Sequence, residues 1–119
     1  MTQQELGIFG ENLAVQLLNN KGYQILVRNY RFGKLEIDII AKSNNQIVVI
    51  EVKTRETAII GEPWKAVTKG KQKSIIKVAS QYLKKERIDL DTRFDIVSIV
   101  HNSFHTKIEH LENAFFPRL

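Results

Sequence analysis

A chain of 119 residues, 43% hydrophobic and 26% charged, has the size and composition of one globular domain rather than a disordered or fibrous chain. No apolar run reaches membrane-span length and residues 1–5 lack the features of a secretory signal, so a cytoplasmic protein with no membrane partner is expected. The absence of cysteine excludes disulfides and thiolate metal sites, while a formal net charge of +5 directs attention to anionic partners.

Leu6, Phe9, Leu13, Ala14, Leu17 and Leu18 recur at helical spacing and predict an amphipathic helix over residues 3–21, closed by Gly22. Residues 23–31 have strand composition, and Phe32-Gly33 marks a turn. Two further strands are predicted over residues 34–41 and 46–54, separated by Ser43, Asn44 and Asn45. Residues 58–63 read as a loop, and Pro63 suits the first turn of a basic helix running to about residue 85. Strands over residues 93–100 and 106–111 complete an α-β-β-β-α-β-β order. That order implies an α/β fold with one mixed sheet flanked by helices, as a single domain over residues 1–119.

The basic helix holds the excess charge. Lys65, Lys69, Lys71, Lys73, Lys77, Lys84, Lys85 and Arg87 face only Glu86, a net of +7, and the rest of the chain is net −2. Such a segment suits a surface that meets phosphates, or equally a solvated helix face.

Asparagine tolerates the positive φ of tight hairpins, so Asn44-Asn45 makes a two-residue turn and pairs Ser43 with Gln46. That register sets Asp38 opposite Glu51 and Glu36 opposite Lys53, with all four charges on one face. Carboxylates about 5 Å apart across a sheet repel, and a divalent cation would relieve the repulsion. Lys53 on the same face can bind a phosphate or polarise a water, which completes the parts for phosphodiester hydrolysis. A surface ion pair Glu36–Lys53, with Asp38 and Glu51 facing water, fits the same pattern.

These residues also carry a family resemblance. Glu36-Ile37-Asp38-Ile39-Ile40-Ala41 followed by Val49-Ile50-Glu51-Val52-Lys53-Thr54-Arg55 resembles the D…ExK core of the PD-(D/E)XK nuclease superfamily. Gly7-Ile8-Phe9-Gly10-Glu11, Gly22-Tyr23, Arg28-Asn29-Tyr30-Arg31, Lys71-Gln72, Arg93-Phe94-Asp95-Ile96-Val97 and Asn113-Ala114-Phe115 extend the match over nearly the whole chain. They make it similar to the small bacterial YraN-like family and to archaeal Holliday-junction resolvases. The resemblance implies a restriction-endonuclease-like fold, Mg²⁺ or Mn²⁺ held by Asp38 and Glu51, and a catalytic Lys53. It also implies a further acid, Glu11, for the metal and the catalytic set, and a homodimer, because two symmetric cuts call for two sites. One departure is Lys34-Leu35 before Glu36, where the family usually has a glycine.

Arg55, Lys69, Lys71, Gln72 and Lys73 are the candidate nucleic-acid contacts, each of which also reads as ordinary surface solvation. Trp64 either stacks on a base or, more commonly for its type, packs in the core. Asp95 either supports the site or pairs with Arg93 or Arg31. His101, His105 and His110 form no zinc pattern and read as loop or strand-end residues. The expected function is a metal-dependent endonuclease acting on DNA, branched or structured DNA included. The alternative is a non-catalytic nucleic-acid-binding module that keeps the nuclease fold; a protein-interaction domain with an acidic partner is a third reading.

Overall fold

The computed structural model describes residues 1–57 and 67–117; the expected loop at 58–63, Trp64 and Lys65 lie outside them. The element order is the one the sequence predicts: α1 (Gln3–Asn20), β1 (Gln24–Phe32), β2 (Leu35–Ser43), β3 (Gln46–Arg55), α2 (Lys69–Glu86), β4 (Asp91–His101) and β5 (Thr106–Phe115). The strands form one sheet in chain order. Neighbours are antiparallel except β3 and β4, which run parallel because α2 carries the chain back across the sheet.

α1 starts where a capping box satisfies its free N–H groups. The Glu5 N–H donates to the Thr2 hydroxyl (3.1 Å), and the Thr2 N–H donates to the Glu5 carboxylate (2.8 Å). Leu6, Gly10, Ala14 and Leu18, four residues apart, form the buried stripe. Ala14 and Leu18 pack on Ile39, Ala41, Val48, Ile50, Val97 and Ile99. On the other face Ile75, Val78, Ala79 and Tyr82 of α2 cover Ile40, Ile47, Val49, Phe94 and Ile96. Alternate strand residues therefore feed two cores, and the sheet lies between the helices. No helix among the described residues is long and apolar enough to cross a membrane.

Gly10 brings α1 directly onto β3, where an added Cβ would overlap the Thr54 side chain. Gly10→Ala must push the helix off the strand that carries Lys53, at an expected cost of about 1–3 kcal/mol. Urea denaturation checks this, and adding Thr54→Gly should recover part of the loss by clearing the overlap. Unchanged stability in Gly10→Ala would contradict the close approach.

α2 corrects the expected helix start. Thr68 is the N-cap, extended at ψ 160°, and its hydroxyl accepts from the Lys71 N–H at 3.1 Å. An extended Thr68 interrupts any helix running on from Pro63, so threonine capping rather than the proline sets the boundary.

The hairpin register is the one the asparagine turn predicts, with Asn44 at φ 56° and partners running from Ser43↔Gln46 to Ile39↔Ile50. There the ladder stops. Asp38 with Glu51 and Glu36 with Lys53, expected as direct partners, are not paired. Ile37 and Ile40 both pack on the α2 side, so strict alternation fails between them, at Asp38. Across on β1, Asn29 lies between the pairs Arg28↔Ile39 and Tyr30↔Ile37 and has φ 53°. The local kink parts β2 from β3 where the acidic residues sit.

Candidate metal centre

Asp38 occupies the parting of the strands. Its Oδ2 accepts the Val52 N–H at 2.8 Å, supplying the bond that the interrupted ladder no longer gives. Burial raises the Asp38 pKa, and the charges of Glu11 and Glu36 add to the rise, while the Val52 bond and Lys71 oppose it. Glu51 is 5% exposed. Burial first, then the Asp38 charge, push its pKa up to about 7, against the pull of Lys71 and Lys53. Lys71 Nζ lies 3.5 Å and Lys53 Nζ 3.9 Å from Glu51 Oε1.

A buried Glu51 and a half-buried Asp38 that disfavour each other's ionisation, with lysine ion pairs among the described residues on Glu51 alone, are short of positive charge. The donor set is all oxygen, which suits a hard divalent cation such as Mg²⁺ or Mn²⁺. Asp38 and Lys53 face an open cleft of about 730 Å³, whose walls also include Glu11, Asn29, Arg55 and Glu56. The residues present fit a metal with positions left for water and phosphate.

Glu11 reaches the same cleft from α1, and its carboxylate accepts from Arg28 Nε and Asn29 Nδ2, both at 3.0 Å. Its charge acts on Asp38. Glu11, Asp38 and Glu51 are not gathered as three ligand atoms within 4.8 Å of one another, the set found among the described residues being Asp95, His110 and Glu112. Glu36, expected beside Lys53, instead pairs with Arg31 at 3.3 Å, its neighbour across β1 and β2.

The candidate nucleic-acid residues divide into three places. Arg55 lines the cleft and is exposed. Lys71 projects from the first turn of α2 onto Glu51. Lys69 and Lys73 are exposed on α2, and Gln72 donates to the Val67 carbonyl at 3.1 Å. Lys71 thus lies beside Glu51, a contact that depends on how α2 seats on the sheet and that helical pattern alone does not reveal. Lys71→Met removes a competing unit charge and should tighten Mn²⁺ binding at pH 8 by about fivefold or more, from about 1 kcal/mol between unit charges 4 Å apart. Calorimetry reads this directly; weaker Mn²⁺ binding would mean that Lys71 supports the metal instead.

The second acidic cluster is a different kind of object. Asp95 is fully buried and accepts from Arg93 Nε (2.9 Å) and Nη2 (2.8 Å), and from the Asn113 N–H (3.1 Å). Its Oδ2 also lies 2.7 Å from His110 Nε2, and Lys21 Nζ lies 2.9 Å from His110 Nδ1. The ammonium can only donate, so Nδ1 accepts and Nε2–H donates to Asp95. Burial would raise the Asp95 pKa, but the bonds from His110, Arg93 and Asn113 outweigh it and hold the carboxyl below its usual range. Arg93 further binds Glu112 at 3.2 Å and the Tyr23 hydroxyl. Positive charge already fills this cluster.

Of the two readings of Asp95, pairing with Arg93 is the one found, and support of the cleft is not. His110, expected at a loop or strand end, lies within β5 with its side chain buried. The available signal was Asp95 itself, set between Phe94 and Ile96 on a strand, because a buried carboxylate requires partners.

Residues 10–99 match the model of an uncharacterised protein family, UPF0102. The chain is 45% identical over 112 residues to a UPF0102 protein of Christiangramia forsetii, covering 94% of each chain. It is 47% identical over 114 residues to one from Alkaliphilus oremlandii, covering 93% of this chain and 97% of that one. A relative from Thermodesulfovibrio yellowstonii is 45% identical over 116 residues, covering 98% of this chain and all of that protein.

Proposed function

The chain belongs to the uncharacterised protein family UPF0102, a restriction-endonuclease-like branch of the nuclease superfamily, and we propose that it is a metal-dependent endonuclease hydrolysing DNA phosphodiester bonds, with branched or structured DNA as substrate. One observation carries the reading: a half-buried Asp38 and a buried Glu51 lie close together where β2 and β3 part, with Lys53 beside Glu51 on the wall of an open cleft.

Asp38 and Glu51 are the residues that would hold Mg²⁺ or Mn²⁺. The cation, when bound, acidifies water and offsets charge on the phosphate under attack. Asp38 is preset for this task, because the Val52 N–H fixes one carboxylate oxygen and no hydrogen bond among the described residues holds the other. Glu11 adds negative charge from α1, with its own carboxylate oriented by Arg28 and Asn29. Lys53 orients the attacking water as an ammonium donor, or takes its proton at Nζ once that nitrogen has given up its own proton. Arg55 in the cleft and Lys69 and Lys73 on α2 hold phosphates away from the reacting one.

The experiment is cleavage of end-labelled linear, nicked and four-way DNA with Mg²⁺ or Mn²⁺, with Asp38→Ala run alongside. Metal-dependent products from the wild type alone support the proposal. Identical products from both proteins, or none from either, reject it; salt-sensitive DNA binding without turnover would favour a non-catalytic module.

A further inference from the structure

The β4–β5 turn carries an exposed aromatic ring on a rigid mount. Phe104 is 91% exposed. The Asn102 carboxamide oxygen accepts from the N–H groups of Phe104 (2.8 Å) and His105 (3.1 Å), and the Asn102 N–H donates to the His105 carbonyl (3.1 Å). Asn102 Nδ2 reaches across to the Glu56 carbonyl at 2.7 Å. At the base of the turn, His101 stacks on Phe9 of α1 with ring centroids 4.2 Å apart and lies within hydrogen-bond distance of Thr106. The turn is therefore fastened to both α1 and the end of β3.

Glu56, the anchoring residue, also lines the cleft that contains Asp38. The parallel register of β3 and β4 places Ile96 beside Glu51 and Val100 beside Arg55, so the cleft and the turn lie along one direction. At about 3.3 Å per strand residue, the ring stands roughly 20 Å beyond Glu51. That is roughly six nucleotides of a stacked DNA strand, at about 3.4 Å each.

We propose that Phe104 is a stacking wedge, which receives an unpaired or unstacked base at a branch or single-strand junction while the adjoining duplex lies in the cleft. The proposal rests on the DNA reading above and specifies which DNA. The surroundings of the ring favour a base over a protein surface. Ser103, His105 and Thr106 are exposed and polar, so one ring offers far less than the roughly 800 Å² per partner of a stable protein interface. A single ring is all that base stacking requires, and a fixed turn spends little entropy in presenting it.

The test uses wild-type protein in EDTA, so that binding is read without cleavage. The ligands are a forked DNA with 2-aminopurine at the junction and a fully paired duplex of matching sequence. Wild type should bind the fork more tightly and change the 2-aminopurine emission. Phe104→Ala should lose that change and about tenfold or more of fork affinity, with duplex affinity unaltered. Phe104→Trp should retain both properties. Equal fork affinity and an equal emission change in Phe104→Ala would overturn the wedge while leaving DNA binding intact. Loss of a dimer on sedimentation of Phe104→Ala would overturn it in favour of a second copy of the chain. Failure of the wild type to bind either DNA would remove the wedge together with the DNA reading. With active protein and Mn²⁺, cuts should fall roughly six nucleotides from the junction.

Discussion

Asp38→Asn should keep the fold and lose both Mn²⁺ binding and cleavage. The asparagine carboxamide oxygen can still accept the Val52 N–H, so the parted strands keep that tie. What disappears is the charge that, with Glu51, would hold the cation. Removing a charged group aimed at the reacting centre costs on the order of 10²–10³ in rate, and loss of the metal as well should leave cleavage undetectable. Circular dichroism and urea denaturation report the fold, calorimetry the Mn²⁺ affinity, and labelled DNA the rate. A folded Asp38→Asn protein that binds Mn²⁺ like the wild type would remove Asp38 from the centre.

Glu51→Gln should stabilise the metal-free protein, most strongly above neutral pH. Burial and Asp38 raise the Glu51 pKa from 4.5 to about 7. Between those values the folded state binds more protons than the unfolded state, so stability falls as pH rises through the window. The loss reaches about 3 kcal/mol by pH 8, at 1.36 kcal/mol per pKa unit. Asp38, also raised, adds to the fall with the same sign. Glutamine carries no charge at any of these pH values, so Glu51→Gln should flatten the profile and be the more stable protein at pH 8 in EDTA. Added Mn²⁺ should raise the melting temperature of the wild type at pH 8 and leave that of Glu51→Gln nearly unchanged. A Glu51→Gln protein less stable than wild type at pH 8 would show that Lys71 and Lys53 already neutralise Glu51 fully.

Both results follow from one arrangement: a charge pair that costs stability in metal-free protein lies where a cation would relieve it. A stability cost concentrated at a site is the usual signature of a site kept for function.

Local rules made much of this legible in the sequence. Asn44 takes the positive φ its type allows, and the turn fixes every hairpin partner back to Ile39 and Ile50. The apolar spacing of Leu6, Ala14 and Leu18 locates α1 and its buried face. The pairing of Asp38 with Glu51 failed because a third strand intervenes: Asn29 on β1 turns through positive φ at the level of Asp38, and pairing rules for two strands contain no such term. The reach of Lys71 to Glu51 depends on where Thr68 starts α2. The Asp95 network joins Lys21 and Tyr23 to β4 and β5 across most of the chain, and no local pattern encodes it. Phe104 was passed over because a lone aromatic in a turn has no periodicity to mark it.

The most direct test of the metal centre is anomalous difference density from a crystal soaked in Mn²⁺. The account predicts a peak between the carboxylates of Asp38 and Glu51, on the cleft side, and none at Asp95, His110 and Glu112, where Arg93 and Lys21 already supply positive charge. A peak at Asp95, His110 and Glu112 with nothing at Asp38 and Glu51 would contradict it.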